Sequence, residues 1–213
     1  MPILSGKVLL QLSGLSLIVS CVGFIAWLVS YAVFLPVNAD NSNYAALVSS
    51  PHWVWVNLIQ QVAIMTGLLG TVGLVSGSIE RLQWLGLGGL VLAVTGYVFM
   101  AGLSFTETFA WSTLAQLLGP AKITEVAGSI LKTPPFSVGG VMGFYLFSAG
   151  YLLIGLSILL NSTSPKWMAS CVMLGSVLFS VSFLLGALRY KLMPIALLLF
   201  VGGLIPLGIE LLR

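Results

Sequence analysis

The chain has 213 residues, of which 59% are hydrophobic and 6% charged, with a mean hydropathy of +1.12. Soluble domains carry about a quarter of their residues as charges, so a soluble globular protein is excluded and a membrane protein is required. Eight basic and five acidic residues leave a net charge of +3, too thinly spread for the basic surface that nucleic acid needs, and nucleic-acid partners are excluded as well.

The charges fall at the ends of six uncharged stretches, 8–39, 41–79, 82–106, 133–165, 167–188 and 192–209. Each holds the roughly 20 apolar residues that cross a hydrocarbon core of about 30 Å as helix. The fold class is therefore all-α: one polytopic membrane bundle of six transmembrane helices over residues 1–213. The helices are expected at about 8–35, 53–77, 83–105, 137–160, 167–187 and 193–212, with an amphipathic segment at 106–136 between helices 3 and 4.

Helix 1 follows Lys7 and ends near Val37-Asn38-Ala39. This imitates a secretory signal, but the apolar run is longer than the 7–15 residues of a signal core, and a retained helix is expected. Pro36 stops it. Cys21 here and Cys171 in helix 5 have no metal-ligand spacing and read as small buried hydrophobes.

Pro51-His52-Trp53-Val54-Trp55 opens helix 2. With one histidine in the chain, a bis-histidine haem and a multi-histidine metal cluster are excluded. His52 is a candidate for holding a single ligand, and equally the ordinary start of a helix among lipid headgroups. Asn57, Gln60 and Gln61 occupy the first two turns of helix 2, with Asn57 and Gln61 four apart on one face. Side-chain amides at that depth need partners. Gly73 and Gly77 follow at a spacing that lets helix backbones approach closely, as do Gly139 and Gly143 in helix 4, and packing within the chain is expected of both.

The short 78–82 connection makes helices 2 and 3 an antiparallel hairpin. Helix 3 carries Tyr97 and closes with Ser104-Phe105-Thr106-Glu107-Thr108. The hairpin brings Glu107 toward the amides of helix 2. A carboxylate partly out of water is a functional suspect; the plainer reading has Glu107 ending the span and pairing with Lys122 or Lys132. In the following segment Pro120 opens a helix whose Ile123, Val126, Ala127, Ile130 and Leu131 share one face. Such a helix lies in the interface or forms a lid on the bundle.

Helix 4 follows Pro135, and Gly155-Leu156-Ser157-Ile158 within it echoes Gly14-Leu15-Ser16-Leu17 of helix 1, a hint of a three-plus-three inverted duplication that four residues are too few to claim. Pro194 is expected in the first turn of helix 6, Gly202, Gly203 and Pro206 mark a kink in it, and Glu210 is spaced to pair with Arg213. Trp53, Trp55, Trp84, Trp111 and Trp167 all fall near helix ends, as indoles do at headgroup level. Six spans put the termini on the side of the short loops with Lys7, Arg81, Lys166 and Arg213, against an equal four, Lys122, Lys132, Arg189 and Lys191, on the other side; the positive-inside rule weights short loops, which favours both termini in the cytoplasm.

Gly150-Tyr151-Leu152-Leu153-Ile154-Gly155 followed by Asn161-Ser162-Thr163-Ser164-Pro165-Lys166-Trp167 resembles a recurrent pattern in small bacterial six-helix membrane proteins of unknown function. Phe105-Thr106-Glu107-Thr108-Phe109 is similar to an acidic, aromatic segment of the same kind of protein. The resemblance implies a multi-pass protein of the bacterial inner (plasma) membrane and supplies no catalytic residue.

The leading expectation is a protein that binds or transports a lipophilic or amphipathic small molecule between helices 2, 3 and the 106–136 segment. Asn57, Gln60, Gln61 and Glu107 line that pocket, Tyr97 lies deeper, His52 is a further ligand-binding candidate, and the 120–132 helix is the lid. A second expectation is an accessory or scaffold subunit of a larger membrane complex, bound to a membrane-protein partner through small-residue faces. A third is an intramembrane lipid or isoprenoid enzyme using Glu107 and His52. Asp40 is the lone aspartate, so a metal-dependent prenyl enzyme is disfavoured, and no cofactor, metal or catalytic residue is assigned. Membrane lipids are the remaining partner.

Overall fold

The computed structural model describes residues 6–35, 44–161, 164–185 and 189–213, and among these it is all helix with no strand. The helices are α1 (Gly6–Phe34), the short α2 (Tyr44–Val48), α3 (Trp53–Gly77), α4 (Ile79–Phe105), α5 (Ser112–Lys132), α6 (Pro134–Asn161), α7 (Lys166–Leu184) and α8 (Arg189–Leu212), with one turn of π-helix, Thr106–Trp111, between α4 and α5. Five apolar stretches are long enough to cross a membrane: Gly6–Phe34, Trp53–Gly77, Leu82–Gly119, Ser137–Asn161 and Lys191–Leu212. α7 is apolar too but shorter, over Lys166–Ser182. The chain is thus an all-helical, membrane-embedded protein. Pro36, Val37-Asn38-Ala39, Asp40, Ser162, Thr163 and the end of the expected helix 5 lie outside the described residues.

Helix pairs lie close because glycines remove the side chains between them. α1 and α3 run antiparallel, with Gly70 against Leu17, Gly73 against Ser13 and Gly77 against Leu10. On α4, a side chain at Gly89 would meet the Gly150 carbonyl of α6 at 2.7 Å, and one at Gly96 would strike the Phe147 backbone. On α6, Gly150 faces the Ala93 backbone and Gly143 faces Phe99. Backbone approach of this kind maximises dispersion contact where lipid tails supply no hydrophobic drive. The two short glycine motifs therefore pack inside the chain. The Gly14 and Gly155 tetrapeptides have unlike neighbours, Gly208 of α8 and Met173 of α7.

Two breaks shape the helices. Only Ser78 separates α3 from α4, and Gln83 adopts φ 53°, ψ −154° one turn into α4. Just before that break the carbonyl of Leu82 accepts a hydrogen bond from the Ser157 hydroxyl of α6. In α5 the break is Gly119, at φ 76°, ψ 167°, and the helix resumes at Pro120, whose missing N–H costs nothing in a first turn.

Several local expectations are corrected. α8 begins at Arg189, so Pro194 lies inside the helix rather than in its first turn. Glu210 does not pair with Arg213: its carboxylate accepts the Ser164 hydroxyl at 2.6 Å, and no ion pair joins the two among the described residues. Trp55, Trp84 and Trp167 are exposed as expected, but Trp53 and Trp111 are buried. The cause is the cap. α2 and α5 fold over one end of the bundle, and Leu35, Leu47, Val48, Val56, Ala115 and Ile123 close around the two indoles.

Candidate functional site

The N-terminus of α3, the end of α4 and the π turn meet beneath the cap. Trp53 ties them together, its indole N–H donating to the main-chain carbonyl of Glu107 at 2.7 Å. A π turn inserts one extra residue per turn and occurs preferentially at functional sites; here its last residue is Trp111, which packs into the cap, and α5 follows. Asn57 is buried and its amide turns back to donate to the Trp53 carbonyl at 2.9 Å. Gln60 accepts the Ser104 hydroxyl of α4 across a long 3.4 Å. Thr108, fully buried, donates to the Ser104 carbonyl at 2.5 Å.

Gln61 differs from its neighbours. Its side-chain oxygen is buried and makes no hydrogen bond. The indole N–H of Trp27 on α1 is likewise buried without a hydrogen-bond acceptor. The α1–α3 register set by Leu17 with Gly70 and Ser20 with Ala63, carried up by two turns, puts Trp27 near the level of Gln60. Both orphan atoms thus sit in the same stratum of the bundle. In a hydrocarbon interior such a group costs several kcal/mol unless something satisfies it.

The residues proposed from sequence divide into three groups. α3 reaches the end of α4 through Gln60, which accepts from Ser104, and through Trp53, which donates to the Glu107 backbone; Asn57 turns back on its own helix, and the Gln61 oxygen is unbonded. The space expected between them and the lid is packed with Trp53, Val56, Trp111, Ala115 and Ile123, so the 120–132 helix is docked rather than open. Of its expected apolar face, Ile123 and Val126 pack into the cap and Ile130 is exposed. His52 stands apart, exposed before α3 with its ring 5.5 Å from that of Phe34.

Tyr97 belongs to a different cluster, two turns deeper. Its hydroxyl lies 2.8 Å from that of Tyr151 on α6, which lies 2.5 Å from the Thr71 hydroxyl of α3. Thr71 donates to the Gly67 carbonyl at 2.7 Å. With that proton committed, Tyr151 must donate to Thr71 and Tyr97 to Tyr151, a one-way chain joining three helices. Ser20 of α1 extends the polar layer by donating to the Ala63 carbonyl at 2.7 Å. Phe147 and Phe200 pack edge-on around the tyrosines, Tyr97 to Phe147 at 5.0 Å and Tyr151 to Phe200 at 4.6 Å. Sequence reading missed Thr71, Tyr151 and Ser104; the available signal was hydroxyls in the middle of apolar runs, where a polar group must have a partner. No family model, no curated protein and no solved structure matches the chain, so its function has to be read from this geometry.

Proposed function

We propose that the protein is a six-span protein of the bacterial inner membrane, with both termini in the cytoplasm, that binds an amphipathic or lipophilic small molecule on the flank of α3 beneath the cap. Five spans follow from length and composition; α7 is the sixth in this reading, since 19 residues rise about 28 Å as helix. The observation that carries the ligand is the Gln61 oxygen, buried and without a hydrogen bond while Asn57 and Gln60 beside it are bonded. A molecule with an apolar body and one hydroxyl or N–H would meet that acceptor. The aromatic packing around Tyr97 and Tyr151 favours binding over passage through the bundle.

The test is native mass spectrometry with lipid analysis on protein extracted mildly from its own membrane, comparing wild type with Gln61→Leu and Glu107→Gln. A stoichiometric molecule present in wild type should be lost from Gln61→Leu, while Gln61→Leu raises thermal stability because it removes the orphan acceptor. Equal retention by Gln61→Leu, or no bound molecule in wild type, would overturn the reading.

A second reading, the accessory subunit, has its own observation. On α4, Trp84, Gly88, Val91, Thr95, Val98, Gly102 and Phe105 follow alternating steps of four and three, the spacing of a helix–helix seam. Trp84, Val91, Val98 and Phe105 are exposed, and nothing lies within 4 Å of where a side chain at Gly88 or Gly102 would stand. If this seam holds a partner helix, Gly88→Ile with Gly102→Ile should strip a co-purifying protein while leaving the thermal midpoint unchanged.

A further inference from the structure

At the opposite end of the bundle from the cap, the first turn of α1, the α3–α4 junction and the last turn of α8 enclose a half-open cavity of about 700 Å³. Lys7, Glu80, Glu210 and Arg213 line it, with the Ser76 and Ser78 side chains between them. Its size falls within the range of about 300–1,000 Å³ of small-molecule sites.

Two of the four charges run against the helices that carry them, whereas Glu80 in the first turn of α4 and Arg213 at the end of α8 suit theirs. Lys7 stands in the first turn of α1, where the helix dipole disfavours a cation, and Glu210 stands in the last turn of α8, where it disfavours an anion. Among the described residues the four make no ion pair with one another across the cavity. Glu210 is oriented instead by the Ser164 hydroxyl, which occupies one carboxylate oxygen and leaves the second available. Two cations and two anions around a void suit a ligand that carries both signs.

We infer that this cavity binds a zwitterion made of a phosphate and a primary ammonium, the chemistry of a phosphoethanolamine headgroup. Lys7 and Arg213 take the phosphate, as basic side chains do through charge-assisted hydrogen bonds. Glu80 and Glu210 take the ammonium, and Ser76 and Ser78 add hydroxyl donors. A primary ammonium offers three N–H donors to the carboxylates; a quaternary ammonium offers none, and a glycerol headgroup carries no cation. Leu10 and Leu211 complete the wall and match the apolar continuation of a lipid. The site is separate from the ligand proposed at Gln61, and the two stand or fall independently.

The experiment uses the full chain in micelles doped with equal amounts of dioleoyl phosphatidylethanolamine, phosphatidylcholine and phosphatidylglycerol, with bound lipid read by native mass spectrometry. The ethanolamine lipid should dominate in wild type. Lys7→Gln and Arg213→Gln should each weaken it by about tenfold, the effect of losing one charge-assisted hydrogen bond, while Lys7→Arg retains it. Glu80→Gln and Glu210→Gln should shift preference toward phosphatidylglycerol, and Gln61→Leu should leave the adduct unchanged. A thermal midpoint equal to that of wild type qualifies each variant. Competition with free phosphoethanolamine then identifies the source: displacement assigns the soluble headgroup, and persistence of the adduct assigns the lipid. Equal adducts of the three lipids in wild type, or an ethanolamine adduct untouched by both Lys7→Gln and Arg213→Gln, would overturn the proposal.

Discussion

Tyr97 and Tyr151 carry the same hydroxyl, yet their positions in the hydrogen-bonded chain make them unequal. Tyr97 is the terminal donor, so Tyr97→Phe removes one bond and strands no proton, at a cost of about 0.5–1 kcal/mol. Tyr151 is the middle link. Tyr151→Phe breaks its bonds to both Tyr97 and Thr71 at once and should cost about twice as much, roughly 1–2 kcal/mol. Thermal unfolding of both variants in one detergent would check the order, and equal losses would contradict it. Gln83 holds a backbone conformation that favours glycine, so Gln83→Gly should stabilise the protein by about 1 kcal/mol in the same assay. Residue types at this scale were partly legible. Asn57 and the two glutamines stand out as amides within an apolar run, and of the three Gln60 bonds to the end of α4. The burial of Trp53 and Trp111 was not legible, because an indole near a helix end looks the same whether lipid headgroups or a folded-over cap surrounds it.

The glycines of α4 and α6 make those helices the most rigidly specified pair. Gly96→Ala and Gly150→Ala each push a methyl into the partner backbone, and each should lower stability by about 1–3 kcal/mol, the usual cost of overpacking. Gly88→Ala and Gly102→Ala meet open space on the same helix. They should gain up to about 1 kcal/mol from helix propensity in the isolated chain. Denaturation of the four variants side by side checks the contrast, and a similar loss in all four would refute the assigned faces. Hydropathy and proline punctuation are strong signals, so the long helices were legible; α3 runs Trp53–Gly77 as the sequence indicates. Pro194 was misplaced because hydropathy starts α8 only after Lys191, whereas the backbone hydrogen bonds begin at Arg189. The π turn had no signal, since one additional residue per turn changes no composition.

For the molecule as a whole, the proposed six spans turn on α7 crossing the membrane. In a cysteine-free background, Ser164→Cys and Leu185→Cys should react with an impermeant maleimide from opposite faces in oriented vesicles, and labelling from one face only would reduce the count to five spans. Ser78→Cys should label with Ser164→Cys, on the face of both termini. Helix order was legible from one dimension of information, but which helices touch was not. The pairing of α4 with α6, and of α7 with α8 through Gly175 and Gly203, depends on small residues whose partners lie far along the chain. The glycine contacts also have a bearing on descent. Gly89 and Gly96 stand seven apart on α4, and Gly143 and Gly150 stand seven apart on α6. Gly89, Gly96 and Gly150 are held by backbone that cannot retreat and Gly143 by the Phe99 Cβ, so drift can erase the lipid-facing sequence between them while these positions persist. The paired sevenfold glycine spacing is therefore a barcode by which diverged cousins of this chain can be sought when their overall resemblance has worn away.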